Sequence, residues 1–252
     1  MNTKAKTILK MLGIIVVIGM IILTATSCIR IVGIRGSGNV KSEDRSVSGF
    51  DSLSVGSGMN LFLKQGSIES LRIEAEDNIL PMILTAVKNG KLEIKYKNFL
   101  IEGFGLNPNK SINVYLTVKD LKEIDISSGV RIESEEIKSD SLKIDVSSGA
   151  EGNMIIISKK LVVGLSSGSN LEISGQVDSQ DIDLGSGGEY SAKDLISKTV
   201  VINASSGSNA VVNASENLDV KISSGASVEY AGSPKVISDI SSGGRLTNIS
   251  SD

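Results

Sequence analysis

The sequence predicts an all-β protein: a single-stranded right-handed parallel β-helix, or solenoid, with coils of about 18–21 residues, preceded by an N-terminal signal or anchor helix. Three observations support this prediction. A Ser-Ser-Gly turn recurs at near-constant spacing, aliphatic and polar residues alternate between the turns, and an apolar N-terminal run follows three lysines. Aromatic residues make up only 3% of the chain and Trp is absent, so aliphatic side chains must supply the core.

The recurring turn has seven copies, six of them Ser-Ser-Gly and one Gly-Ser-Gly at 185–187, and its final glycine returns at a nearly even interval that matches the length of one coil. These glycines are Gly129, Gly149, Gly168, Gly187, Gly207, Gly225 and Gly243. Because glycine adopts positive φ without steric strain, we predict that each of them is a structural turn. We expect one serine of each turn to point into the bend and the other to face water.

Alternating residues precede each turn, as at 142–146 and 218–222. This alternation places aliphatic side chains on one face of a strand. A coil of about 19 residues cannot bury that face alone, so successive coils must stack on one another. We therefore expect Ile144, Leu165 and Ile222 to lie inside a tube of parallel coils.

The first half of the chain has a similar rhythm and predicts one continuous solenoid. Its strand-like segments begin at Leu53, Leu71, Leu92 and Ile112. Residues 77–90 interrupt this rhythm, and they are predicted to form a short helix because Asp77 stands near the start and Gly90 at the end.

The N-terminus has the composition of a membrane-targeting leader. Three lysines precede an apolar run at 11–25, and Ala-Thr-Ser stands directly before Cys28. Small residues before a cysteine are typical of bacterial lipoprotein signals, so Cys28 is a candidate lipidation site. Two alternatives stay open: an uncleaved membrane anchor, since a span needs roughly 20 apolar residues, and a simple signal peptide. All three place residues 29–252 outside the cytoplasm.

Composition argues against several functions. The chain contains no His, which removes Ser-His-Asp and Cys-His catalysis and imidazole metal sites. A net charge of −3 argues against nucleic acid as a partner, because phosphate binding needs a basic surface. We expect no catalytic residues, no metal and no cofactor.

Two groups of acidic residues invite a functional interpretation. Asp125, Asp145, Asp183 and Asp239 each stand two residues before a turn, which suggests a column of cation ligands. Gly164, Asn203 and Lys221 interrupt that column, so a solvated outer face is the favoured interpretation.

The second group, Glu133, Glu135 and Glu136, contains the paired carboxylates that glycosidases use. The sequence shows no aromatic platform for a sugar, however, and an exposed charged edge is favoured.

Residues 98–110 are predicted to form a loop. Its apolar residues Phe99, Ile101, Phe104 and Leu106 are the best candidates for a partner surface. The favoured interpretation of the loop, however, is a flap that covers one side or end of the solenoid core, because the open ends of a solenoid must be capped.

Three segments in a fixed order resemble a known family. They are 48–53, 58–66 and 71–81, followed by the Ser-Gly coils. Together they are similar to the "putative auto-transporter adhesin, head GIN domain" family, whose Gly-Ile-Asn signature would fall on Gly58, Met59 and Asn60. The resemblance covers roughly 38–250 and implies a β-helical envelope protein with no established activity.

We therefore divide the chain into a signal peptide or membrane anchor at 1–27, a linker and first strand at 28–47, and a head GIN-like β-helix domain at 48–250. We expect a non-enzymatic protein of the bacterial cell envelope, anchored to the membrane, that serves adhesion or envelope interaction. Its partner classes are the membrane and a surface glycan or protein. The alternatives are a polysaccharide lyase-like β-helix and an envelope sensor or regulatory domain.

Overall fold

The computed structural model describes residues 34–97 and 106–250, without the side chain of Leu106. Short strands fill the first half: β1 (Ile34–Arg35), β2 (Val40–Arg45), β3 (Ser52–Val55), β4 (Asn60–Gln65), β5 (Ser70–Glu76), β6 (Ile83–Lys88), β7 (Lys91–Tyr96), β8 (Leu106–Asn107), β9 (Asn113–Val118) and β10 (Glu123–Ile126).

Longer strands follow. They are β11 (Arg131–Val146), β12 (Glu151–Leu165), β13 (Asn170–Leu184), β14 (Glu189–Ala204) and β15 (Asn209–Ile222), and the shorter β16 (Ser227–Ala231), β17 (Lys235–Ile240) and β18 (Arg245–Asn248) end the described chain.

The second half is a parallel β-solenoid, as predicted. Each long strand from β11 to β15 pairs in parallel with the next, and β15 pairs with both β16 and β17. Ile144, Leu165 and Ile222 are 0%, 3% and 1% exposed. The predicted stacking of coils around an aliphatic core is therefore confirmed.

Aliphatic ladders run through the core in register. One ladder consists of Leu92, Leu53, Ile124, Ile144, Val163, Ile182, Ile202 and Val220. Each fully buried side chain of this type stabilises the fold by roughly 1.5–3 kcal/mol. Ser238 continues the ladder in β17, where it is exposed.

The turns between coils use two consecutive residues with positive φ. In the first turn Ser128 has a φ of 58° and Gly129 a φ of 74°, and Val130 N–H donates to the Ser127 carbonyl. This is the pattern of a type I′ turn. The turn glycine also bonds to the next coil, since Gly129 N–H donates to the Ser148 carbonyl at 3.2 Å.

The two serines of a turn differ in exposure, as expected. Except in the last turn, the first serine is half-buried and the second is exposed, and Ser205 O–H donates to the Leu184 carbonyl at 3.5 Å. The completely buried position belongs to the residue after the glycine, such as Val130 or Ala150. The reason is geometric: two left-handed residues reverse the chain outside the core, and the core is re-entered only after them.

The first half departs from simple stacking in chain order. Strand β3 lies between β7 and β10, and β4 lies between β9 and β11. Strands β2, β5 and β6 pair antiparallel, β2 with β5, β5 with β9 and β6 with β7. The expectation of one continuous run of parallel coils is therefore wrong for this half, because alternation identifies a buried face but not a strand's neighbour or direction.

The helix predicted at 77–90 is also wrong. Only a short 3-10 helix forms, at Leu80–Met82, and β6 then pairs with β7 as a hairpin. Asn89 and Gly90 have φ values of 51° and 76°. Asn-Gly is the preferred pair for a two-residue hairpin turn, so Gly90 belongs to a hairpin and does not end a helix.

A buried polar cluster lies within the solenoid core. Tyr190 O–H donates to Gln180 Oε1 at 2.7 Å, and Gln180 Nε2 donates to Ser197 Oγ. All three residues are almost completely buried, and burial raises the pKa of the Tyr190 hydroxyl. The hydroxyl therefore stays protonated and available as a donor.

The cluster leads to a first prediction. Tyr190→Phe should lower the free energy of unfolding by about 1–3 kcal/mol, because Gln180 Oε1 would be buried without its donor. Urea unfolding followed by circular dichroism measures this loss. The control Tyr230→Phe, in a half-buried tyrosine outside the cluster, should change stability by less than about 0.5 kcal/mol; equal losses in both variants would contradict the prediction.

A second prediction compares two glycines. Gly149→Ala places an alanine at a φ of 70° with no atom within 4 Å of its Cβ, and should cost about 1–2 kcal/mol. Gly175→Ala combines a φ of 118° with a Cβ only 2.2 Å from the Ile156 carbonyl oxygen, and should cost at least about 3 kcal/mol. The same unfolding measurement tests this order, and a larger loss in Gly149→Ala would refute it.

Candidate functional site

An aromatic pair lies on the outer face of the sheet in the first half of the chain. In β4 the buried Leu61 and Leu63 flank Phe62, so Phe62 points outward, and the same alternation in β9 turns Tyr115 outward. The two residues are in register on neighbouring parallel strands. Their ring centroids are 5.1 Å apart with an angle of 16° between the ring planes, and Tyr115 is 38% exposed.

The hydroxyl of Tyr115 is held by a glutamate. Tyr115 O–H donates to Glu74 Oε2 at 3.2 Å, and Ser42 O–H donates to the other carboxylate oxygen at 3.2 Å. Burial is the larger cause that raises the pKa of Tyr115, and the Glu74 carboxylate raises it further. The phenol therefore remains protonated at neutral pH, with its ring position fixed from one side.

An ion pair borders the aromatic pair. Arg72 is in register with Tyr115 on β5, and its Nε donates to Asp44 Oδ1 at 2.8 Å. This hydrogen bond holds the pKa of Asp44 below its ordinary value and raises the pKa of Arg72. Because both groups are exposed, the pair contributes little to stability; its effect is to orient the guanidinium.

Neutral hydrogen-bonding groups lie on both sides of the two rings. Asn60 Nδ2 donates to Asn113 Oδ1 at 3.0 Å on one side, and Ser70 O–H donates to Thr117 Oγ1 at 2.9 Å on the other. Each pair spans two neighbouring strands, so the groups stand in rows parallel to the aromatic pair.

The aromatic pair, Glu74, the Arg72–Asp44 ion pair, Ser70 and Thr117 line a groove of about 1120 Å³, and Asn60 and Asn113 lie beside it. Five acidic and three basic side chains line it: Asp44, Glu69, Glu74, Glu133 and Glu135, against Arg45, Lys64 and Arg72. Arg45 also pairs with Glu43 and donates to the carbonyls of Ile83 and Leu80. The groove is therefore an aromatic surface with polar edges and a slight excess of negative charge.

The sequence alone shows no aromatic cluster, whereas the structure brings two aromatic side chains together. Phe62 and Tyr115 are far apart in the sequence, and pairing of β4 with β9 brings them together. Alternation in each strand was a usable signal, because it places both aromatics among outward residues. The register between the strands was not readable, so the pair was missed.

The aspartates before the turns lie on the outer face of the long strands. Asp125 is in register with Asp145, and Gly164 separates Asp145 from Asp183. A second groove, of about 630 Å³, runs along this column. Lys143 pairs with Asp145 at 2.6 Å, and Asn203 Nδ2 donates to Asp183 Oδ1 at 2.9 Å. A lysine ammonium and an asparagine amide thus pair with these carboxylates, as expected on a solvent-exposed face.

The three glutamates are divided by the structure. Glu133 is in register with Phe62, so Glu133 and Glu135 line the aromatic groove, whereas Glu136 pairs with Lys138 at 2.9 Å. All three are exposed, as on the charged outer edge that the sequence favours.

Other predicted site residues fall elsewhere. Cys28 and the loop residues Phe99, Ile101 and Phe104 lie outside the described residues, and so does the side chain of Leu106, whose backbone pairs with Ile34. The seven turn glycines have φ values from 67° to 79° and lie on the surface.

The fold and the outer face define a class: a β-solenoid with an exposed groove on a rigid sheet. Within that class, the chain belongs to the family described as "Putative auto-transporter adhesin, head GIN domain", whose model matches residues 49–234. The resemblance seen in the sequence is thereby confirmed. No protein with a curated description matches the chain.

Solved structures share the fold. A putative adhesin from Bacteroides fragilis is 22% identical and superimposes with a TM-score of 0.77, covering 86% of this chain and 100% of that one. A putative lipid binding protein from Parabacteroides distasonis is 21% identical, with a TM-score of 0.70 over 86% and 99% of the two chains. A putative adhesin from Parabacteroides merdae is 17% identical, with a TM-score of 0.69 over the same shares.

Within residues 34–97 and 106–250, we find no helix that is long and apolar enough to span a membrane.

A third prediction concerns the Tyr115 hydroxyl. Glu74→Gln should lower the pKa of Tyr115 toward its ordinary value, because a carboxylate that disfavours the phenolate is removed, while the contribution of burial remains. Titration of ring-labelled tyrosine by NMR measures the shift. Glu133→Gln is the control, since Glu133 lies beyond Phe62 and makes no bond to Tyr115; an unchanged titration of Tyr115 in Glu74→Gln would contradict the assignment.

Proposed function

We propose that this chain is a non-enzymatic protein of the bacterial cell envelope whose solenoid presents a rigid binding surface for adhesion or envelope interaction. One observation carries the proposal: outward side chains of separate strands stand in register around an outward-facing aromatic pair, on a sheet held by a continuous core. A rigid surface of this kind can bind a ligand without a conformational change. The family description and the adhesin descriptions of similar structures support the same role.

The electrostatics support binding in preference to catalysis. Among the described residues, every carboxyl group with a shifted pKa is shifted downward, in each case chiefly by a hydrogen bond to a neighbouring side chain. These groups are Asp44, Asp51, Asp77, Glu93 and Asp140. Sugar-cleaving enzymes need an acid whose pKa is raised. The chain also contains no His to act as a base.

The proposed function includes a location in the cell, at a membrane of the envelope. Residues 1–27 are taken as a signal peptide or membrane anchor, 28–47 as a linker with the first strand, and 48–250 as the head GIN-like domain. We favour lipidation of Cys28, which would hold the solenoid at a membrane and facing away from the cytoplasm. The proposed winding of the coils is right-handed, because parallel strand–connection–strand units are right-handed in about 98% of cases.

The anchor is tested by metabolic labelling with a palmitate analogue. We expect the full-length chain to be labelled and Cys28→Ala to lose the label. Unlabelled wild-type protein that stays in the membrane fraction would indicate an uncleaved anchor instead, and release into the medium would indicate simple secretion.

The binding role is tested on cells that produce the full-length chain. They should retain fluorescent envelope polysaccharides or envelope proteins better than cells without it, and the polysaccharides should keep their length. Failure to retain any of them, together with shortening of a polysaccharide, would refute the proposal and favour the lyase-like alternative.

A further inference from the structure

The aromatic pair is the centre of a longer row of outward side chains. Five adjacent strands, β2, β5, β9, β4 and β11, contribute one residue each at the same height. The row consists of Asp44, Arg72, Tyr115, Phe62 and Glu133. At a strand spacing of roughly 4.8 Å, it is about 19 Å long. A row of this length fits several units of a linear polymer better than one small molecule.

The apolar part of the row is small. It consists of two rings that stack on one another, one half-buried and one 38% exposed, so they present ring edges and outer ring faces to a ligand. Protein interfaces are usually anchored by several large apolar side chains that become completely buried. The two fixed rings instead offer a small apolar contact that suits a pyranose, which carries apolar C–H groups beside its hydroxyl groups.

Groups on either side of the rings suit those hydroxyls. Glu74 offers carboxylate oxygens, and Asn60 and Asn113 offer amide donors and acceptors on one side. Thr117 and Lys64 stand on the other side. Both donors and acceptors therefore lie beside the aromatic pair, which is what a hydroxyl group needs, since it uses both at once.

The charge of the groove limits the class of glycan that it can bind. Acidic side chains outnumber basic ones five to three in the groove, and the guanidinium of Arg72 is already paired with Asp44. A polymer of uronic acids or phosphates would be repelled by this excess of like charge. An uncharged polymer would not be repelled.

From these observations we infer that the groove around Phe62 and Tyr115 binds a neutral, linear glycan, with sugar rings on the aromatic pair and hydroxyls bonded to the polar rows. The inference rests on the proposed envelope-binding function and adds the ligand class and the site. Tyr115 and Phe62 supply the apolar contact, and Glu74 holds the Tyr115 ring in place through its hydroxyl.

The test uses the full-length chain in a detergent without a sugar headgroup, so that detergent does not compete. Isothermal titration with cellohexaose, chitohexaose and maltohexaose should detect binding of at least one. Hexagalacturonate, the anionic comparator, should bind at least about tenfold more weakly than the best neutral probe.

Variants locate the site. Tyr115→Ala and Phe62→Ala should each weaken binding by about tenfold or more, because each removes half of the apolar contact. Tyr115→Phe should keep most of the affinity, since the ring remains. Ile196→Ala is the matched control: it truncates an exposed apolar residue outside the groove and should leave binding unchanged. Circular dichroism verifies that each variant is folded.

Three results would overturn the inference: no binding of any neutral probe, stronger binding of hexagalacturonate, or folded Tyr115→Ala and Phe62→Ala variants with wild-type affinity. The proposed envelope function has its own readout. If cells that carry Tyr115→Ala still retain envelope material as wild-type cells do, that function stands and the assignment of the groove falls.

Discussion

The register of the aliphatic ladders is the constraint on which the rest of this structure depends. Side chains such as Ile144 and Val163 are buried only if each coil delivers its aliphatic residues at the same height as the coil before. A slip of one residue would turn that set toward water. Coil lengths differ slightly from one turn to the next, and the differences are absorbed at β-bulges, as between Glu172 and Gly175, away from the ladder. The repeated turn meets the same demand, because its hydrogen bonds tie each corner to the next coil.

A core maintained in this way leaves the outer face free to vary. Every second residue of a strand points outward, where its identity has little effect on stability. This explains how structures only 17–22% identical to this chain share its fold. It also means that the fold carries no information about a ligand, and that function must be sought among outward residues.

The outer face of the first half differs from the repetitive second half. Antiparallel strands β2 and β5 extend the sheet past the parallel coils, and this extension places Arg72 and Glu74 beside Tyr115. The long coils present mainly Ser, Asp, Asn and Lys in their grooves. The aromatic pair thus lies in the first half of the chain, next to the regular coils, where the strands no longer stack in sequence order.

Period and alternation were sufficient to predict the solenoid, its aliphatic core and the positions of its turns, because they are local properties that every coil repeats. The order of short motifs also identified the family. Three-dimensional packing was needed to establish which strands of the first half are neighbours, that 83–88 forms a hairpin strand, and that Phe62 meets Tyr115. Alternation reports which face of a strand is buried. Pairing between strands that are distant along the chain depends on how whole segments pack, and no short stretch of sequence records that choice.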